Sequence, residues 1–89
     1  MTNTKTQLQD FETDSLPLSA YLFCNACNLK QIKASSIQGK YLFVFYPNQK
    51  IQELESEFFS FKAIVAPQSY YSAIRDLKRL LIEYKKSKE

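Results

Sequence analysis

The chain has 89 residues, of which 45% are hydrophobic and 24% are charged, with seven Phe and six Tyr. This length suits one small domain with a single modest core, and so high an aromatic content excludes a chain that is disordered throughout. No apolar run approaches the roughly 18 residues that a membrane-spanning helix needs, and the polar, acidic first residues do not resemble a secretory signal. We therefore expect a cytoplasmic protein without a membrane partner.

The net charge of +3 is unevenly distributed along the chain. Residues 1–60 carry five Lys and six acidic residues, a balance of −1, whereas residues 61–89 carry seven Lys and Arg and three acidic residues, a balance of +4. This basic end permits a nucleic acid or an acidic protein as partner, without requiring either.

The first predicted element is a helix over residues 17–27. Asp14 or Ser15 can cap its start, and Asn28 is predicted to end it in the left-handed conformation. This helix is apolar nearly all round, so we expect it to be buried on one side and covered by something else on the other.

A β-hairpin is predicted after this helix. Residues 29–35 alternate between apolar and polar side chains, as in a strand with one solvent-facing side. The chain's one glycine, Gly39, supplies a positive-φ position for the turn, and residues 41–46 are apolar at both odd and even positions. Residues 41–46 are therefore predicted to be the central strand, covered on both faces and antiparallel to its neighbour.

Two more helices and a third strand are predicted in the second half of the chain. Pro47 ends the central strand, and Asn48 can cap a helix over residues 49–59. Residues 61–66 alternate like a short strand, and Pro67 begins a last helix whose apolar side chains are spaced by four and three.

Together these elements predict an α+β fold with the order α-β-β-α-β-α, in which helices pack on a three-stranded sheet. The single domain is predicted over residues 15–84, between a flexible tail at 1–14 and a frayed basic C-terminus at 85–89. The expected core residues are Phe43, Phe45, Leu54, Phe58, Ile74, Leu77 and Leu81.

Short motifs along residues 18–81 resemble those of a known family. They are Tyr21-Leu22, Phe43-Val44-Phe45, Val65-Ala66-Pro67, Tyr70 or Tyr71, and Arg75-Asp76-Leu77-Lys78. In this order they are similar to a small family of domains of unknown function from bacterial, archaeal and phage genomes. The resemblance implies a compact α+β unit, sometimes carried by mobile elements, and no catalytic residue. The chain departs from that pattern at Asn28, where such domains often have glycine.

No catalytic or metal site is predicted. Cys24 and Cys27 have the C-x-x-C spacing of metal and redox sites, but the chain has no His and no third Cys to complete a zinc site. We therefore expect core-filling thiols. Glu53 and Glu57 share a helix face with Glu55 on their flank, which is typical of a solvated surface. We expect no enzyme activity, no cofactor and no small-molecule substrate.

The last helix carries the one cluster that points to a partner. Stepping 100° per residue places five cations on one flank, beside the apolar stripe. This candidate contact site consists of Arg75, Lys78, Arg79, Lys85 and Lys86. Three alternatives stay open: a solvated face that suits the helix macrodipole, a nucleic-acid backbone, or an acidic protein surface. Lys33 and Lys40 are further candidates if the solvent-facing side of the hairpin lies alongside this helix. Tyr71, which lies off the apolar stripe, is a candidate for stacking on single-stranded bases.

From these patterns we expect a small non-catalytic binding module or regulatory adaptor that contacts another protein chain. A homodimer is the first choice, because the first helix needs a cover on its second side. The alternative is a sequence-nonspecific DNA- or RNA-binding protein that uses the basic flank of the last helix.

Overall fold

The computed structural model describes residues 9–87, in which three strands form one antiparallel sheet and three helices pack against it. The elements are β1 (Phe11–Thr13), α1 (Leu16–Cys24), β2 (Leu29–Ala34), β3 (Tyr41–Phe45), α2 (Lys50–Phe59) and α3 (Pro67–Ser87). The strand order across the sheet is β1-β3-β2. The predicted α+β class and three-stranded sheet with packed helices are confirmed, and β3 is the central strand, as predicted.

The third strand of the sheet is not the predicted one. Residues 61–66 belong to an irregular connection between α2 and α3, and the second edge of β3 is paired with β1, where Phe11 lies opposite Phe45. The order along the chain is therefore β-α-β-β-α-α rather than α-β-β-α-β-α, and the domain begins before residue 15. A strand of three residues is too short to show a periodic pattern, and its partner lies far along the chain.

The two ends of the chain differ from the predicted bounds in a similar way. β1 lies within the predicted flexible tail, of which residues 1–8 lie outside the described part of the chain. α3 continues to Ser87, through most of the predicted frayed C-terminus, and residues 88–89 are also outside that part. Among the helices of residues 9–87, none is long and apolar enough to cross a membrane.

The central strand is covered on both faces, as predicted, but by different means. Phe43 and Phe45 point into the core that the helices cover, while Val44 points the other way and is only 1% exposed. On that outer face the Lys33 ammonium lies 2.6 Å from a Glu12 carboxylate oxygen. Because these residues belong to the two strands that flank β3, their ion pair spans β3 beside Val44. Charged side chains of the two flanking strands thus lie beside the buried Val44 on the outer face of the sheet.

Helix α1 lies in the middle of the helical layer. It begins as predicted, because the Ser15 hydroxyl accepts a hydrogen bond from the Leu18 amide at 3.1 Å. Its buried residues join those of α2, α3 and the inner face of the sheet in one core: they are Leu18, Ala20, Tyr21 and Leu22. The prediction that α1 is covered on two sides is correct, and the cover comes from the same chain.

The end of α1 lies earlier than predicted. The helix stops at Cys24, and the left-handed residue is Ala26, with φ of 67°, rather than Asn28. The Cys27 amide donates to the Leu22 carbonyl at 3.1 Å, which is the bond that closes a Schellman motif. A non-glycine residue therefore occupies the cap position that glycine fills most easily.

The remaining core predictions are largely confirmed. Four of the seven predicted core residues are buried, and the other three are partly buried against the core: these three are Phe58, Ile74 and Leu81. On α3 the deepest residues are Ala73 and Leu77. The side of α3 that faces away from the core is consequently the side that carries Arg75, Ile82 and their neighbours.

Candidate functional site

The outward side of α3 brings four cations and two apolar side chains together. We call this surface the cationic face, and its exposed cationic and apolar members are Tyr71, Arg75, Lys78, Arg79, Ile82 and Lys86. The half-buried Ile74 and the exposed carboxylate of Glu83 also line it. The six members are exposed, since they lie opposite the buried stripe of Ala73 and Leu77. Consecutive members are four, three, one, three and four residues apart, which keeps them on one side of the helix through four turns.

Four of the five predicted contact residues lie on this cationic face, and Lys85 does not. The Lys85 ammonium lies 5.0 Å from the centre of the Tyr41 ring, and that ring packs edge-on against Tyr84 at 5.9 Å. Lys85 is thus held at the junction of α3 and β3 by a cation–π contact. The helical wheel could not distinguish it, because the wheel contains no information about the sheet.

The cations of the cationic face are largely available to a partner. Within the described chain, Arg75, Lys78 and Lys86 form no ion pair, and the nearest Arg79 nitrogen is 3.7 Å from the carboxylate of Asp76. A surface pair of this kind contributes well under about 1 kcal/mol, so it does not hold Arg79 away from a ligand. With four cations and one carboxylate, that of Glu83, the face carries a net positive charge.

The cationic face also carries exposed apolar side chains. Tyr71 is 67% exposed and Ile82 is 54% exposed, and they lie between the cations along the helix. Together with the stems of the Lys and Arg side chains they line a shallow apolar groove. The cationic face can thus contact both negative charge and apolar surface.

The hairpin cations do not extend this site. Lys33 pairs with Glu12 at 2.6 Å and Lys40 approaches Asp14 at 3.8 Å. The side chain of Lys33 points to the outer face of the sheet, away from the helices. The acidic partners belong to β1 and the residue that follows it, which the sequence had assigned to a flexible tail.

The C-x-x-C cysteines are packed as core thiols. Cys27 is buried and Cys24 is half-buried. Burial raises the pKa of both thiols, so both are protonated at neutral pH and have little nucleophilic or metal-binding character. Among residues 9–87 no group of three or more Cys, Asp or Glu side chains converges as a metal site would require.

One of the helix α2 carboxylates has a structural partner. The Tyr21 hydroxyl donates a hydrogen bond to Glu57 at 3.0 Å and thereby links α1 to α2. Burial and then this carboxylate raise the pKa of Tyr21. The prediction that Glu57 faces solvent with Glu53 is therefore wrong for Glu57, which is half-buried. Its partner comes from a distant helix that periodicity within α2 could not show.

A second exposed surface, which the sequence did not predict, lies at the end of α2. Its residues line a shallow apolar groove that we call the aromatic groove: Phe58, Phe59, Phe61 and Ala63. Phe61 is 96% exposed and Phe59 is 59% exposed. The sequence pattern predicts a third strand over residues 61–66, but these residues do not join the sheet, and the ring of Phe61 lies in solvent. The available signal was Phe61 directly after a helix, where glycine is usual.

Comparison with known protein families gives a match over most of the chain. The model of the family described as Domain of unknown function (DUF5659) matches residues 8–84. No curated protein and no solved structure matches the chain.

Proposed function

The chain belongs to the DUF5659 family, whose members are domains of unknown function, and we propose that it is a non-catalytic protein-interaction module. Its contact surface is the cationic face of α3, and its partner is an acidic protein segment that also presents apolar side chains. Such a module joins or regulates other proteins. The cytoplasm is the compartment in which we expect it to act.

The observation that carries this proposal is the position of Ile82. Its side chain is 54% exposed in the middle of a surface whose other members are mostly cations. Protein interfaces have this arrangement, with an apolar centre and a charged or polar rim, and Tyr and Arg are enriched in them. A partner that covers Ile82 and Tyr71 gains hydrophobic free energy, and acidic groups at its edge pair with Arg75 and Arg79.

A binding experiment with designed peptides tests this proposal. One peptide is an amphipathic helix with Glu on one side and Leu on the other, and the control peptide has the same charge but no Leu. We expect the amphipathic peptide to bind more tightly, and we expect Ile82→Ala and the double variant Arg75→Ala/Arg79→Ala each to weaken it by about tenfold. Ile37→Ala, which truncates an exposed apolar residue elsewhere, serves as the matched control.

Two results would contradict the proposal. The first is equal affinity for the two peptides, which would show that the apolar members of the cationic face contribute nothing. The second is unchanged binding of the amphipathic peptide by the Ile82→Ala variant. Either result would leave charge as the only determinant of binding.

Nucleic-acid binding is the second candidate, and the row of exposed cations favours it. Arg75, Lys78, Arg79 and Lys86 are spaced by about one to two turns, so they can follow a phosphate backbone without reading bases. We expect such binding to show little sequence preference and to fall steeply with salt. It would use Tyr71, if at all, as a single stacking side chain.

Fluorescence anisotropy with labelled duplex and single-stranded DNA and RNA tests this candidate, at about 50 and 200 mM salt. The triple variant Arg75→Ala/Arg79→Ala/Lys86→Ala should lose binding. Lys85→Ala removes a neighbouring charge that contacts Tyr41, and this variant should retain most of the nucleic-acid binding. No binding at low salt, or equal binding by the triple variant, would exclude a nucleic-acid role for this face.

A further inference from the structure

Helix α2 ends in an unusual cap. The Phe61 amide donates to the Phe58 carbonyl at 3.3 Å and the Lys62 amide donates to the Glu57 carbonyl at 2.9 Å, which together form a Schellman motif. The motif requires a left-handed residue, and Phe61 supplies it with φ of 63°. Glycine normally takes this position because a side chain strains the left-handed backbone.

Phe61 thus has two features that are unfavourable for the isolated chain. Its backbone is strained, and its ring, 96% exposed, gains no burial in return. Ala26 has the same left-handed cap conformation at the end of α1, but it exposes only a methyl group. The contrast indicates that the feature particular to Phe61 is the outward-held ring, because strain alone also occurs at Ala26. Strained residues of this kind concentrate at functional sites.

The ring of Phe61 does not stand alone, because it borders the aromatic groove. The Phe59 ring packs edge-on against Phe58 at 5.3 Å, and Phe58 in turn lies 5.9 Å from Tyr21 in the core. The floor of the groove is therefore fixed to the core of the domain. All four lining residues are apolar, and Lys62 lines a different groove with the α2 carboxylates.

We propose that the aromatic groove is a self-association site, occupied by the same groove of a second copy of this chain. A two-fold arrangement lets each Phe61 enter the partner's groove against Phe58 and Phe59, because an isologous interface uses one patch twice. No charge lines the groove, so two copies meet without repulsion. The cationic face of α3 offers the opposite situation, since a second copy there would oppose cation to cation.

The area of the groove sets the strength of this association. A buried aromatic residue covers roughly 150–250 Å², so Phe59 and Phe61 together expose about 300 Å² per copy. Two copies would bury about 600 Å² of these two side chains in total, which is below the roughly 1,200 Å² at which stable specific interfaces begin. We therefore expect a weak dimer that forms with rising concentration rather than a permanent one.

The proposal is tested by measuring mass against concentration, with sedimentation equilibrium from about 10 to 500 μM. The wild type should rise from the protomer mass of 10.4 kDa toward twice that value. Phe61→Gly removes the ring and relieves the cap, so it should weaken association at least tenfold while raising the melting temperature. Ile37→Ala, again an exposed apolar residue outside the groove, should leave association unchanged.

The opposite changes in association and stability separate an interface role from a structural one. A protomer mass at every concentration, or wild-type association by Phe61→Gly, would overturn the proposal. Concentration-dependent amide shifts in ¹⁵N spectra provide a second readout, and they should concentrate in residues 57–64. Shifts confined to α3 would also overturn it. Because Phe61 follows α2 and does not belong to the cationic face, this proposal and the peptide-binding proposal can each fail separately.

Discussion

Replacing Phe45 by Ala is the most informative test of the core. Phe45 is fully buried in the central strand, opposite Phe11 on one side and Leu29 on the other. It belongs to one buried core with Leu18 and Leu22 of α1 and Leu77 of α3. Because β3 is paired with a strand on each side, the backbone around Phe45 has little freedom to move into the cavity that the Ala substitution would leave. We therefore expect the upper part of the usual range for Phe→Ala, about 3–5 kcal/mol of unfolding free energy.

Urea unfolding followed by circular dichroism measures this loss. Tyr46→Ala is the matched control, because it truncates the next aromatic side chain, which is half exposed and has the Lys30 ammonium 5.7 Å from the centre of its ring. That control should cost under about 1 kcal/mol. Phe45→Leu covers the case in which the Ala variant does not fold, and it should give an intermediate loss. A loss below about 1 kcal/mol for Phe45→Ala would refute the assignment of Phe45 to the centre of the core.

Three other predictions concern caps and polar groups. Ala26→Gly should raise the unfolding free energy by about 1 kcal/mol, because glycine adopts the left-handed cap conformation without strain. Asn28→Gly should give no gain in stability. Equal effects of the two variants in urea titrations would contradict the observed end of α1. Ser19→Ala should stabilise by about 1 kcal/mol, because the buried hydroxyl has no partner within residues 9–87; a destabilised variant in thermal melts would indicate a missed hydrogen bond. The pKa of Tyr21 is higher in the folded state than in the unfolded state, so its hydroxyl stabilises the fold fully at pH values below the unfolded-state pKa of about 10. This contribution to stability is lost as the pH rises through the folded-state pKa. Tyr21→Phe should therefore flatten the alkaline decline of stability and cost about 0.5–1.5 kcal/mol at neutral pH through its lost bond to Glu57; an unchanged alkaline profile would contradict this.

The features that the sequence determined are those set by local periodicity and backbone chemistry. The run that became β3 was recognisable from its β-branched and aromatic content, and the turn from Gly39, which does adopt φ of 85°. α3 was recognisable from apolar spacing, and the exposure of Arg75 and its neighbours followed from the same pattern. These features depend on residues within one or two turns of each other, so the chain specifies them without reference to the rest of the fold.

Tertiary structure decided the features that depend on distant partners. β1 exists because the free edge of β3 offers hydrogen bonds to a three-residue segment that has no periodic signal of its own. The same pairing provides Glu12 for Lys33, which removes that cation from the predicted binding surface, and the packing of α3 against the sheet directs Lys85 to Tyr41. Phe61 is exposed because residues 61–66 do not join the sheet. The cationic face and the aromatic groove are therefore defined by which surfaces the long-range contacts leave uncovered, and this information is absent from local sequence patterns.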